Sequence, residues 1–132
     1  MTTILAIPGS WRSGSYNLAL ARAAQALAPA GCTVELASIA AIPVYDGDSE
    51  AAQGVPAAVA ELKDRIAAAD ALLLVTPEYN NSVPGPLKNA IDWLSRPASD
   101  LARVFGDKPT GLIGASPGPG GTRLAQAAWL PV

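Results

Sequence analysis

Four short apolar runs alternate with stretches of helical periodicity, and this alternation restricts the fold more than any other feature of the chain. Thr3–Ile7 is almost wholly apolar, Thr33–Ala37 reads TVELA, Ala71–Thr76 reads ALLLVT and Thr110–Ser116 reads TGLIGAS. Runs this short and this apolar suit strands covered on both faces, as in a parallel sheet. Between them, Asn17–Ala28 repeats Leu20, Ala23, Ala24 and Leu27 at helical spacing. Ala57–Ala69 puts Val59, Leu62 and Ile66 on one face, and Pro86–Ser95 does so with Leu87, Ala90, Ile91 and Leu94. A further helix is predicted to start at about Thr122. Pro29 and Gly31 stop the first helix, and Pro56 stands near the first turn of the second. Ile39–Pro56, rich in Pro, Gly and Asp, reads as a long loop. Strand–helix alternation implies right-handed crossovers and a doubly wound α/β fold: one parallel sheet between two layers of helices.

Composition narrows the chemistry. The 132 residues make one domain by length, and half of them are hydrophobic, which excludes a disordered chain. The net charge of −2 gives no general attraction to nucleic acid or to an anionic membrane, so any anion site must be local. No histidine is present, which excludes Ser-His-Asp and Cys-His catalytic sets and most zinc sites. No catalytic side chain and no metal ligand is assigned; an enzyme of this composition takes its hard chemistry from a cofactor. Cys32 is the one cysteine, so no internal disulfide forms, and Asp46 and Asp48 in YDGD read as turn residues rather than a metal loop. No secretory signal and no membrane-spanning run is visible, and the compartment expected is a reducing cytoplasm. Trp93 lies off the apolar stripe of its helix, a position for partial burial or for a subunit interface.

In an open parallel sheet, ligands sit beyond the carboxyl ends of the strands. Three loops with unusual chemistry occupy that edge. The first, Gly9–Ser15, sets Ser10, Arg12, Ser13 and Ser15 before a helix start. Hydroxyls, a guanidinium fork and the positive end of a helix suit a phosphate, although Ser15 and Asn17 also read as ordinary caps. The loop is neither a Walker A sequence nor G-x-G-x-x-G, and a terminal monophosphate fits it better than a bridging pyrophosphate. The second, Thr76–Gly85, carries Tyr79, Asn80 and Ser82 between prolines. It offers amide groups and a flat surface for a heteroaromatic ring, and equally the residues of a plain turn. The third, Ser116–Thr122, is glycine-dense, which permits either close approach to a ligand or simple flexibility.

The stretches GSWRSGSYN, PVYDGDSE, TPEYNNSVPGPLKNAIDWLSR and GASPGPGGTRLAQ, in that order, resemble the NADPH-dependent FMN reductase family, with its chromate, quinone and azo reductase relatives. The resemblance runs from about Ile4 to Gln126. It implies a flavodoxin-like fold and FMN as cofactor, with NADPH or NADH as substrate and a quinone, azo compound, metal oxyanion or flavin as acceptor. On that resemblance Ser10, Arg12, Ser15 and Asn17, with Tyr16 beside them, hold the FMN phosphate. Pro77, Glu78, Tyr79 and Asn80 border the isoalloxazine ring, and Ser116 and Gly118 flank its other edge. A homodimer or homotetramer is implied, with Pro84–Ser95 near the interface, a small-molecule acceptor as partner, and neither nucleic acid nor membrane. The rival expectation is a flavodoxin-like electron carrier or an inactive flavin-binding module. The family pattern runs on through a full helix, a fifth strand and a last helix, whereas this chain ends at WLPV. The resemblance therefore implies a single FMN-binding domain over 1–132 that is incomplete at its C-terminus, with TGLIGAS as an edge strand.

Overall fold

The computed structural model describes residues 1–132. Its sheet has four parallel strands in the order β2-β1-β3-β4, with β1 at Thr2–Pro8, β2 at Cys32–Leu36, β3 at Ala71–Val75 and β4 at Thr110–Ile113. β1 pairs with β2 from Thr2 opposite Cys32 to Ala6 opposite Leu36, and with β3 from Ile4 opposite Ala71 to Pro8 opposite Val75. This is the doubly wound, flavodoxin-like α/β arrangement.

The helices are α1 (Tyr16–Ala26), α2 (Gly47–Gln53), α3 (Ala57–Ala68), α4 (Gly85–Leu94), α5 (Leu101–Phe105) and α6 (Arg123–Trp129). Leu5 and Ile7 alternate out of β1 into the main core, where they join Leu72 and Leu74 of β3, Val59, Leu62 and Ile66 of α3, and Leu87, Ala90 and Leu94 of α4. α1 packs on β1, β2 and β3 with Leu18 and Ala21 buried outside that core, which makes the opposite layer.

Three elements differ from the sequence reading. Ile39–Pro56 is not all loop: Asp46 caps α2 there, its Oδ1 accepting from the Asp48 N–H at 2.9 Å and its Oδ2 from the Ser49 hydroxyl at 3.1 Å. Leu101–Phe105 forms α5, a single helical segment following a 3₁₀ turn at Ala98–Asp100, too short to show periodicity. The fourth strand ends at Ile113 instead of Ser116, because its one partner β3 ends opposite it at Val75.

Trp93 is only 1% exposed, and so belongs to the core and not to a surface or interface. The loop after β2 explains this. It folds back over α4, where the Trp93 indole N–H and the Asn89 amide both donate to the Pro43 carbonyl, at 2.9 and 2.8 Å. Asn89 also accepts from the Tyr45 N–H at 2.8 Å, and the Tyr45 ring meets Trp93 edge-on at a 4.9 Å centroid distance. The loop thus covers the side of α4 that helical periodicity alone leaves bare. Lys63, 2% exposed on α3, donates to the Arg96 carbonyl and to Asp100 at 3.0 Å, so its charge is buried with a partner.

β4 is the sheet edge, paired only with β3. Beside it lies an apolar groove of about 530 Å³ floored by Leu72, Leu74 and Leu112 and walled by Ile91, Phe105 and Trp129. No helix is long and apolar enough to cross a membrane.

Two measurements test this packing. Trp93→Ala should cost about 3–5 kcal/mol in urea unfolding, the range for emptying an aromatic site in a core. The second concerns acid. The Tyr45 hydroxyl and then the Arg96 guanidinium hold the Glu50 carboxyl below its usual range, and Lys63 holds Asp100 below its own. Groups whose folded pKa is depressed add stability that is present above the unfolded value and lost as pH falls through the folded one. The urea midpoint should therefore hold down to about pH 5 and fall below about pH 4. Glu50→Gln should start lower at neutral pH and lose less on acidification.

Candidate functional site

The carboxyl ends of β1, β3 and β4 release the three loops at one sheet edge, where they enclose a cleft of about 150 Å³. Gly9 permits the close approach of the first two. A Cβ there would stand 2.8 Å from the Pro77 ring, so any side chain would force the loops apart. Ser10, Arg12, Ser15, Tyr16 and Asn17 line the cleft from the first loop. Pro77, Glu78 and Tyr79 line it from the second, and Ser116 from the third. Asn80 and Gly118 are exposed and lie outside the lining, whereas Ala115 and Pro117, which the sequence reading did not single out, are part of it. Their contribution is backbone position, which leaves no signature in residue type.

The first loop is a concentration of free donors. From Ser10 to Asn17, only the Ser15 N–H has a protein acceptor, the Arg12 carbonyl at 3.0 Å. The other amides are unpaired, including those of Tyr16 and Asn17 in the first turn of α1. The Arg12 guanidinium makes no ion pair and folds back over Gly14. An arginine beside open amides at a helix N-terminus is an anion cradle.

Not every polar side chain here faces the cleft with its donors. The Ser15 Oγ caps α1 by accepting from the Leu18 N–H at 3.2 Å. The Asn17 amide is used at both ends on Ala115: its Nδ2 donates to the carbonyl at 3.0 Å and its Oδ1 accepts from the N–H at 2.9 Å. Asn17 is therefore a clip between the first and third loops, and only its backbone N–H remains for an anion.

The second loop is shaped by a two-residue hairpin. Tyr79 and Ser82 exchange backbone hydrogen bonds at 3.2 and 3.1 Å, across Asn80 and Asn81 at φ of 52° and 61°. Asparagine tolerates this left-handed backbone better than most residues, which is why NN stands here. The hairpin leaves Tyr79 42% exposed at the cleft, across from Tyr16 at 52%. The N–H groups of Glu78 and Asn80 have no protein acceptor. The Glu78 carboxylate, by contrast, has protein donors, and it is spent on the first turn of α6: Oε2 accepts from the Leu124 and Ala125 N–H groups at 2.9 and 3.1 Å.

The family model for NADPH-dependent FMN reductase matches residues 2–132. The chain belongs to that family. An NAD(P)H-dependent FMN reductase of Pseudomonas aeruginosa is 51% identical over 123 residues, 93% of this chain and 64% of that protein. A 2-hydroxy-1,4-benzoquinone reductase of a Burkholderia species is 44% identical over 124 residues, 94% of this chain and 66% of that protein. The chain thus spans just under two thirds of the length of these curated relatives. Among solved structures, the flavoenzyme NAD(P)H:(acceptor) oxidoreductase FerB of Paracoccus denitrificans superposes with a TM-score of 0.86 at 42% identity, covering 96% of this chain and 68% of that one. For this family member, the cradle and the hairpin are the two features of the cleft that the matched stretches carry.

Gly114 permits the close approach of the start of the second loop and the end of the third. A Cβ there would stand 2.2 Å from the Thr76 carbonyl and 2.2 Å from the Thr122 Oγ1. Gly114→Ala should therefore lower stability by about 1–3 kcal/mol, as overpacking does. Gly118→Ala, whose added methyl meets only the Ser116 hydroxyl at 3.7 Å, should stay within about 0.5 kcal/mol. Paired urea titrations compare the two.

Proposed function

We propose that this domain binds FMN in the three-loop cleft and works as an NAD(P)H-dependent oxidoreductase toward a small-molecule acceptor of the quinone, azo, metal-oxyanion or flavin class. The observation that carries the reading is the run of amides from Ser10 to Asn17, all but that of Ser15 unpaired, beside an arginine without an ion pair. In a chain of net charge −2, so local a concentration of donors suits one compact anion, and a terminal phosphate has the charge and the acceptor oxygens to use it.

The residues present fit the cofactor. Arg12 would neutralise the phosphate while the amides of the first loop and of α1 surround it. The free N–H groups of Glu78 and Asn80 would meet acceptor atoms on the polar edge of the ring. Tyr16 and Tyr79 border the opening, and Ser116 stands on its far side. FMN held there would supply two-electron chemistry between a nicotinamide nucleotide and the acceptor. The chain's own part is to bind, orient and leave the opening accessible, which agrees with a cleft that holds no histidine. The relatives named as FMN and benzoquinone reductases support the same assignment. A homodimer or homotetramer in a reducing cytoplasm completes the reading, as the resemblance of the motifs implies.

Arg12→Ala should weaken FMN by about 1.5–3 kcal/mol, the scale of a charge-assisted hydrogen bond, which is about ten- to hundredfold in Kd by flavin fluorescence titration. With NADPH and an artificial quinone, double-reciprocal plots should be parallel, since one substrate leaves before the other enters. A folded protein that takes up no flavin overturns the proposal. Bound flavin without turnover points instead to an electron carrier.

A further inference from the structure

Glu78 lines the cleft, yet its carboxylate faces away from the cradle. Thr122, at the start of α6, makes no side-chain cap. The Glu78 carboxylate supplies that cap from forty-odd residues away, taking the Leu124 and Ala125 N–H groups on one oxygen. The other end of the same helix returns to the same loop: the Trp129 indole N–H donates to the Thr76 Oγ1 at 2.9 Å, and that hydroxyl donates to the Pro77 carbonyl at 2.8 Å. α6 is thus fastened at both ends to a stretch of three residues, Thr76 to Glu78, with Pro77 stiffening the middle.

This brace determines where the third loop runs. Ser116–Thr122 is held at its start by Asn17 on Ala115 and at its finish by Glu78 on α6. Between these points the Gly121 N–H to Gly118 carbonyl bond and the Gly118 N–H to Ser116 hydroxyl bond are internal to the loop, and Thr122 at its end accepts from the Gln126 N–H and side-chain amide of α6 at 2.9 and 3.0 Å. If the Glu78 bonds open, that wall of the cleft loses the nearer of its two downstream anchors, and only the Trp129 bond at the far end of α6 still ties the helix to the second loop.

We propose that Glu78 is a positioning residue for the cofactor: its carboxylate acts through α6 to hold the Ser116–Thr122 wall against the cleft and does not itself bind the ligand. The proposal rests on the FMN reading and makes a prediction of opposite sign to a direct electrostatic role. A carboxylate on a residue lining the same cleft as a bound phosphate repels it, so on Coulomb grounds alone its removal tightens FMN. On the bracing account its removal loosens FMN, because the wall is no longer preorganised.

The experiment compares wild type, Glu78→Ala and Glu78→Gln, each measured first without flavin and then by FMN titration. In the flavin-free proteins, hydrogen exchange at the Leu124 and Ala125 amides should be about tenfold faster or more in Glu78→Ala, since these bonds then open locally, while the β1 amides keep their wild-type rates. Glu78→Gln retains an acceptor oxygen and should exchange close to wild type. FMN affinity should fall by about tenfold in Glu78→Ala and by less than about threefold in Glu78→Gln. Unchanged exchange at Leu124 and Ala125 in Glu78→Ala overturns the brace, whatever flavin does. Equal or tighter FMN binding by that variant, or equal weakening in both variants, overturns the positioning role. If Glu78→Ala does not fold, Glu78→Gln decides alone: wild-type exchange and affinity support the proposal, and a tenfold loss of affinity with wild-type exchange refutes it. If wild type takes up no FMN, the functional reading has failed, and the exchange data still decide the brace.

Discussion

Parallel pairing of β1 with β3 is the constraint on which the site depends. Ile7 stands opposite Leu74 and Pro8 opposite Val75, so both strands end at the same level and hand their loops to the same edge. β4 joins in the same sense, with Ile113 opposite Val75, and brings the third loop there too. An antiparallel neighbour would send its loop to the other end of the sheet. The interleaved order β2-β1-β3-β4 also opens a crevice beside β1, where crossovers leave in opposite directions, and the donor-rich first loop rises from that strand.

Sheet geometry brings the loops together, and a second set of interactions fixes their spacing. Gly9 lets the first loop pass Pro77, Asn17 clips the first to the third, and Glu78 clips the second to α6. Each of these uses a polar or small residue that a reader of the sequence assigns to ligand binding or to a turn. The consequence is a division of labour. Side chains mostly hold loop to loop, while backbone amides and Arg12 are left free toward the cleft. A site built this way tolerates little movement, because its donors are positioned by the chain path rather than by adjustable rotamers.

Much of the fold was legible because burial on both faces leaves unmistakable runs such as ALLLV, and because the amphipathic helices repeat at helical spacing. α2 and α5 were not, and the reason is physical. Gly47–Gln53 buries no residue and depends on the Asp46 cap, while Leu101–Phe105 is too short to repeat an apolar face. Trp93 was misread because the partner that buries it, the Pro43–Tyr45 segment, lies far away in sequence. In the cleft, Arg12 and the serines were visible as residue types. Ala115 and Pro117 were not, since they take part through backbone position alone.

The sequence by itself determined the alternation of buried strand and amphipathic helix, the three loops at one edge, and the family to which the motifs belong. These follow from local properties: hydrophobic period, the conformational demands of Gly, Pro and Asn, and residue order within a motif. Only the tertiary structure decided which polar groups are free and which are spent. A carboxylate at Glu78 or an amide at Asn17 reads the same in sequence whether it faces a ligand or a distant helix. The choice depends on where α6 and Ala115 lie in space, and unpaired donors remain only where no such neighbour comes within hydrogen-bonding reach.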